Sequence, residues 1–204
     1  MNGNNKSIII LAIGLLSTEI AWKIWNILTA RRKYSNVVEE ESNKKNFSEV
    51  LMFSEDSQLC RDHPFLMPHL RRRIQSYMDG ASNSLDVCMY VMTCDDLTKS
   101  IVAAHRRNVC IRIIVDSSMS ENPACSNQLM RMRRAGIKVR TNKLKTSSLM
   151  HHKFAIVDRK VVLLGSTNWT MQAFYGNYDS VMITNYKDCV TRYSEEFDKM
   201  WQQY

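Results

Sequence analysis

The chain is 204 residues long, which leaves room for one compact domain and an appendage but not for two catalytic domains of the usual ~100–200 residues. Its 45% hydrophobic and 24% charged residues exclude wholesale disorder and a multi-span membrane protein. Lys and Arg number 28 against 20 Asp and Glu, a net charge of +8, and this favours a polyanionic partner, either nucleic acid or an anionic membrane.

Residues 7–28 form the one long apolar stretch, and a bilayer span needs ~20 largely apolar residues. Charge is absent only from residues 7–18; Glu19 and Lys23 then fall four apart, where a helix pairs them and blunts the cost of insertion. Trp22 and Trp25 have the character of interfacial anchors. Arg31, Arg32 and Lys33 behind them keep the rest of the chain on the cytosolic side by the positive-inside rule. The expectation is a membrane anchor with a basic flank over 1–33, a polar linker over 34–46 and one domain over 47–204. An amphipathic helix packed on the domain is the alternative. A cleaved secretory signal fits less well, because the basic cluster follows the apolar run. The anchor and linker carry +3 and the domain +5, so the domain is basic in its own right.

Six cysteines, at 60, 88, 94, 110, 125 and 189, show no clustered spacing and read as mostly buried free thiols in a reducing compartment. Runs at 85–92, 111–115 and 137–140 have the short apolar or alternating pattern of strands. Between them, helices are predicted over 97–107, with Asp95 and Asp96 at its start, and over 127–135, closed by Gly136. Strand and helix alternating in this way imply an α/β sheet with helices on its faces. Residues 153–157 and 161–164 around the Asp158–Lys160 turn predict a hairpin. A strand over 180–184 and a final helix over 190–201, with Val190, Tyr193, Phe197 and Trp201 on its core stripe, complete the domain.

The densest set of reactive groups is His151-His152-Lys153, followed by Asp158 and then Gly165-Ser166-Thr167-Asn168. Side chains two apart on a strand share a face, so His151 and Lys153 form a pair and His152 points away. A nucleophile or proton carrier thereby stands beside a fixed positive charge. Asp158 has two readings, a turn residue or a functional acid. Gly165, Ser166 and Asn168 put a small residue, a hydroxyl and an amide where phosphate oxygens can approach.

The full string, H-x-K-x4-D-x6-G-S-x-N, resembles the HKD signature of the phospholipase D superfamily, and the residues around it resemble the mitochondrial, Zucchini-type branch. The resemblance runs from about Phe47 to Tyr204. It implies an α-β-α sandwich, with a mixed central sheet and helices on both faces, preceded by one membrane helix. It also implies a mitochondrial outer-membrane location and cleavage of single-stranded RNA in piRNA production, in company with piRNA-pathway proteins. One motif is present where the superfamily's active site uses two, so a homodimer is implied, with one His151 attacking phosphorus and the other protonating the leaving oxygen. Lys153 and Asn168 would offset phosphate charge, and catalysis would need no metal. Asp179 is the candidate to orient His151, although the branch usually has Glu there; an ordinary acid at a strand start is the other reading.

The branch also carries a zinc-binding insertion. Cys60, His63 and His69 could match it, but three ligands fall short of the four a closed structural zinc site wants. Seven basic residues and no acid fall between 131 and 145, among them Arg131, Arg133, Arg134, Lys143 and Lys145. They are the candidate rim of a groove that tracks a phosphate backbone, the alternative being a solvated helix face. Arg71, Arg72 and Arg73 could extend it, and Trp169 and Tyr175 either stack on bases or lie in the core. Hydrolysis of cardiolipin to phosphatidic acid by the same covalent route is the competing enzyme reading. A membrane-tethered RNA-binding scaffold is the non-catalytic one.

Overall fold

The computed structural model describes residues 19–22, 25, 38–40, 42–53, 69–142 and 149–204. Its centre is a seven-stranded sheet in the order β1-β7-β6-β5-β2-β3-β4. The strands are β1 (Ser48–Phe53), β2 (Ser84–Met89), β3 (Cys110–Val115), β4 (Lys138–Thr141), β5 (Lys153–Val157), β6 (Val161–Gly165) and β7 (Asp179–Thr184). β2, β3 and β4 run parallel, whereas β2–β5, β5–β6, β6–β7 and β7–β1 pair antiparallel. The helices are α1 (His69–Gly80), α2 (Asp95–Arg106), α3 (Ser117–Ser120), α4 (Pro123–Arg134), α5 (Met171–Gly176) and α6 (Lys187–Gln203).

Helices cover both faces, which is why β2 reads as a nearly unbroken apolar run rather than an alternation. On one face Leu85, Val87, Ile113, Ala155 and Leu163 pack with Ile74, Met78, Leu97, Ile101 and Leu129 of α1, α2 and α4. On the other, Cys88, Ile114, Phe154, Ile156 and Val162 meet Val190, Phe197 and Met200 of α6. The α-β-α layering expected of the domain is present. The membrane anchor expected over 1–33 falls almost entirely outside the described residues, among which no helix is long and apolar enough to cross a membrane. The packed unit reaches upstream of the boundary expected at 47. Val38 is buried in the main core, and the Lys44 carbonyl accepts a 2.7 Å bond from Asn185 Nδ2.

Local chemistry sets the boundaries. Asn122 caps α4 by accepting from the Ala124 and Cys125 amides, with Pro123 at its first position. Gly136 closes the helix at φ +90°, as a left-handed C-terminal residue does. The strand expected over 85–92 ends at Met89, and the chain from Tyr90 onward leaves the ladder.

On the α6 face, Asp86, 2% exposed, takes two 2.7 Å bonds from Arg112. Asp198 of α6 joins both Arg112 and Arg159. The guanidinium of Arg112 lies 4.8 Å from the Phe197 ring centroid. These contacts fasten α6 to the sheet by charge and by aromatic packing together.

Candidate active site

Four adjacent strands bring their ends together at one margin of the sheet: β2 and β6 finish there, and β5 and β7 begin there. Backbone bonds knit the loops. The Tyr90 amide donates to the His152 carbonyl at 3.0 Å, Trp169 N donates to Val91 O, and Thr93 and Cys94 both donate to Trp169 O. The loop carrying Asn168 is thereby sewn to the loop leaving β2.

His151 is exposed and Lys153 half-buried. The Lys153 ammonium lies 3.1 Å from His151 Nδ1 and donates to the His151 carbonyl at 2.7 Å. An ammonium only donates, so Nδ1 is the acceptor and the proton of the neutral ring sits on Nε2. Tyr90 forms a shelf beneath both groups, its ring centroid 4.6 Å from that of His151 and 5.1 Å from Lys153 Nζ. This residue was not expected in the site, because it reads as part of an apolar strand. The electron-rich face of its ring favours a cation at either neighbour. Burial pushes the Lys153 pKa below the ordinary lysine value, and the charge of Asp179 acts against that shift.

Asp179 is not bonded to the His151 ring, as the orienting role would require. Its carboxylate accepts from Ser166 Oγ at 2.6 Å and from Asn177 Nδ2 at 3.2 Å. A short Asp side chain at the start of β7 meets the neighbouring strand end first. Ser166 is correspondingly engaged, since its hydroxyl also accepts from Ser180 N at 3.1 Å. Gly165 permits this closeness: a Cβ there would stand 2.0 Å from the Ser180 carbonyl oxygen. Asn168 is half-buried, and its Oδ1 accepts from Val91 N at 3.4 Å. With the oxygen engaged, the amide has its N–H donors to offer an anion.

Asp158 lies at the opposite end of β5. Its carboxylate accepts from the backbone amides of Ser82, Asn83 and Ser84, at 2.7 Å from Asn83 and 2.8 Å from Ser84. It and Arg159 have φ of +53° and +56°, the pair of positive values that a tight type I′ turn uses. The turn reading of Asp158 is the one its placement fits, since it closes the hairpin far from the imidazole.

A second buried carboxylate, Asp116, stands at the reactive margin. It accepts from the Met150 amide at 2.8 Å, from Ser118 N at 2.9 Å and from Asn142 Nδ2 at 3.3 Å, and so ties down the residue before His151. Burial raises its pKa, but these bonds outweigh burial and hold it below the ordinary Asp value.

The basic stretch divides. β4 is parallel to β3, so α4 must carry the chain back to the end where the strands start. Arg133 and Arg134 ride its last turn, where Arg133 lines a hollow with Arg140, Thr141, Gln203 and Tyr204 at the β4 edge, and Arg131 is paired with Asp95. Lys143 and Lys145 lie outside the described residues. Arg71 is buried against Asp96 and Arg73 pairs with Glu49, so these two brace α1 instead of extending a groove. Trp169 and Tyr175 are 3% and 4% exposed and belong to the core. Cys60 and His63 are outside the described residues and His69 opens α1. Among the described residues no group of three His, Cys, Asp or Glu could hold a metal ion.

An exposed imidazole resting on an ammonium thus stands at the edge of an α-β-α sandwich, within the residues that resemble the HKD signature. Residues 74–201 match the family described as "Cardiolipin synthase, PLD-like domain", and the chain belongs to that family. It is 39% identical over 125 residues to the mitochondrial cardiolipin hydrolase of Xenopus laevis, covering 61% of this chain and 58% of that one. With the protein of that name from Homo sapiens it shares 35% over 156 residues, 74% of this chain and 60% of that one. The chain thus spans under two thirds of the length of these relatives. The crystal structure of Nuc, a phospholipase D family member from Salmonella typhimurium, superposes with a TM-score of 0.65 at 24% identity, over 78% of this chain and 96% of that one; this likeness speaks to the fold.

Proposed function

We propose that this chain cleaves single-stranded RNA by a covalent route through His151, as a homodimer anchored at the mitochondrial surface. The observation that carries the catalytic part is the exposed imidazole held by Lys153, with Nζ 3.1 Å from Nδ1. Hydrolysis through a covalent intermediate needs a nucleophile and a separate acid, and each chain brings one such histidine, so two copies complete the site.

Phosphate binding would draw the Lys153 ammonium off Nδ1 and free the ring to take the tautomer with its lone pair on Nε2. That nitrogen attacks phosphorus, the P–N bond forms, the P–O bond to the leaving group breaks, and the second copy's His151, in its imidazolium form, gives its Nε2 proton to the departing oxygen and becomes neutral. Water then gives a proton back to that second histidine and attacks phosphorus. The P–N bond breaks, leaving a phosphomonoester and a free hydroxyl. Lys153 and the Asn168 amide offset charge on the non-bridging oxygens throughout. No step draws on a metal ion.

RNA is favoured by the hydroxyl and amide of Ser166 and Asn168 at the same sheet margin and by Lys143 and Lys145, which lie a few residues before His151 in sequence. The piRNA-pathway role and its protein partners rest on the family resemblance. The second reading is hydrolysis of cardiolipin, favoured by the name that the relatives carry. The test assays the purified full chain on labelled single-stranded RNA and on cardiolipin vesicles, with His151→Asn alongside. RNA cleavage that His151→Asn abolishes and a chelator leaves intact is expected. Turnover of cardiolipin alone transfers the assignment to lipid, and cleavage persisting in His151→Asn, or in a monomer by light scattering, overturns the mechanism.

A further inference from the structure

A cleft of about 370 Å³ opens beside His151 and runs over the last turns of α6. Its walls are unlike those of the phosphate position. Leu149, Met200 and Tyr204 supply apolar and aromatic surface, while Glu196 and Gln203 are the polar groups over it. The Glu196 carboxylate, whose nearest cation is Lys199 at 3.6 Å, repels a phosphate and accepts N–H donors. Gln203 both donates and accepts. The volume lies near the lower end of the ~300–1,000 Å³ of small-molecule sites. A cleft of that size has room for one flat heterocycle with its sugar.

We propose that this cleft takes the nucleobase of the nucleotide flanking the scissile phosphate, with Glu196 and Gln203 reading its edge and Tyr204 packing on its face. Guanine is the base that fits: its N1–H and N2–H2 point the same way, and one carboxylate can accept both. Adenine and cytosine each offer a single amine at that edge, and uracil a lone imide N–H. The proposal rests on the RNA reading and adds to it a preference set by this chain's own helix.

The experiment sequences the ends left by cleavage of a randomised single-stranded RNA, for wild type, Glu196→Gln and Gln203→Trp. Each protein is also assayed on bis(4-nitrophenyl) phosphate, whose hydrolysis does not need the cleft. Wild type should favour guanine beside the cut, by a factor on the order of 10 as one bidentate contact allows. Glu196→Gln should flatten that preference, and Gln203→Trp should raise KM for RNA; both should keep the small-diester rate. Identical end distributions in all three proteins overturn the proposal. So does a parallel loss of both activities in the variants, which would mean that these residues serve folding or assembly. Failure of the RNA reading looks different: wild type then turns over the small diester and cardiolipin but leaves RNA uncut.

Discussion

At one end of β5 the His151 ring is exposed to solvent with an ammonium on its Nδ1. At the other end, five residues beyond Lys153, Asp158 collects the amides of Ser82, Asn83 and Ser84, and Arg159 beside it pairs with Asp198. The motif that joins these ends in sequence therefore spans two kinds of chemistry. Groups at the first end keep hydrogen-bonding capacity for a ligand. Groups at the second have spent theirs on the backbone and on Asp198, and a buried donor or acceptor left unpaired costs about 1–3 kcal/mol.

A pair of substitutions separates the two ends. His151→Asn should lower the turnover of any phosphodiester on the order of 10³-fold or more, with the melting temperature close to wild type, because the ring is exposed and makes little packing. If His151→Asn instead melts early, the reactive end is also a structural end and the contrast fails.

Lys153 gives the next largest effect. Its ammonium supports the ring and the expected phosphate position together, so Lys153→Met should cost about 10²-fold or more in kcat. Its folded pKa is lowered by burial, so the charge is lost at a lower pH than in an ordinary lysine, and activity should fall on the alkaline side correspondingly early. Lys153→Arg should move that limb upward at reduced rate. Asp179→Asn, which removes the charge that opposes the shift, should move it further down. A pH–rate profile of the three proteins that shows a common alkaline limb would detach Lys153 from the rate.

Much of this arrangement was legible in the residues, and the failures have physical causes. Strand β5 begins and ends where its pattern predicts, because its apolar run is bounded by a charged residue at one side and a turn at the other. β1 was not expected: it is an edge strand whose Val50 and Met52 are exposed beside buried Leu51 and Phe53, so its sequence lacks the clean polar alternation of a half-buried strand. Tyr90 was hidden because the apolar run does not reveal that β2 stops at Met89. Spacing could equally not tell whether Asp158 faces a substrate or the Ser82–Ser84 backbone, since that depends on which strand lies next to the hairpin. The basic stretch read as one patch because charge density ignores direction, whereas its described members divide between α4, where Arg131 pairs with Asp95, and β4 at the sheet edge.

The structural end should respond in the opposite currency. Asp158→Ala strips the acceptor from three amides and places a residue with no compensating bond at φ +53°. A loss of about 2 kcal/mol is expected, read as a lower denaturant midpoint. The kcat of the folded fraction should be unchanged. Asp158→Asn should recover much of the stability, because Asn tolerates a positive φ and keeps one acceptor. A fall in kcat without a fall in stability would return Asp158 to the chemistry.

Asp116 tests whether the contrast is one of position or of bonding, because it sits at the reactive margin yet is saturated like Asp158. Its folded pKa is held below the unfolded value, so its ionised form adds stability that is fully present above the ordinary Asp range near ~3.9. That stability is lost as pH falls from there through the folded pKa. Asp116→Asn should thus be less stable than wild type at neutral pH, and the gap should begin to narrow below about pH 4 and close once pH has fallen through the folded pKa, where wild type is also protonated. Because the carboxylate holds the Met150 amide at 2.8 Å, the same variant should lower kcat several-fold, with His151 less firmly placed. Thermal unfolding from pH 3 to 8 measures the first effect. A gap that stays constant over this range would mean the destabilisation comes from shape alone, and that bonding to the carboxylate is not what holds His151 in register.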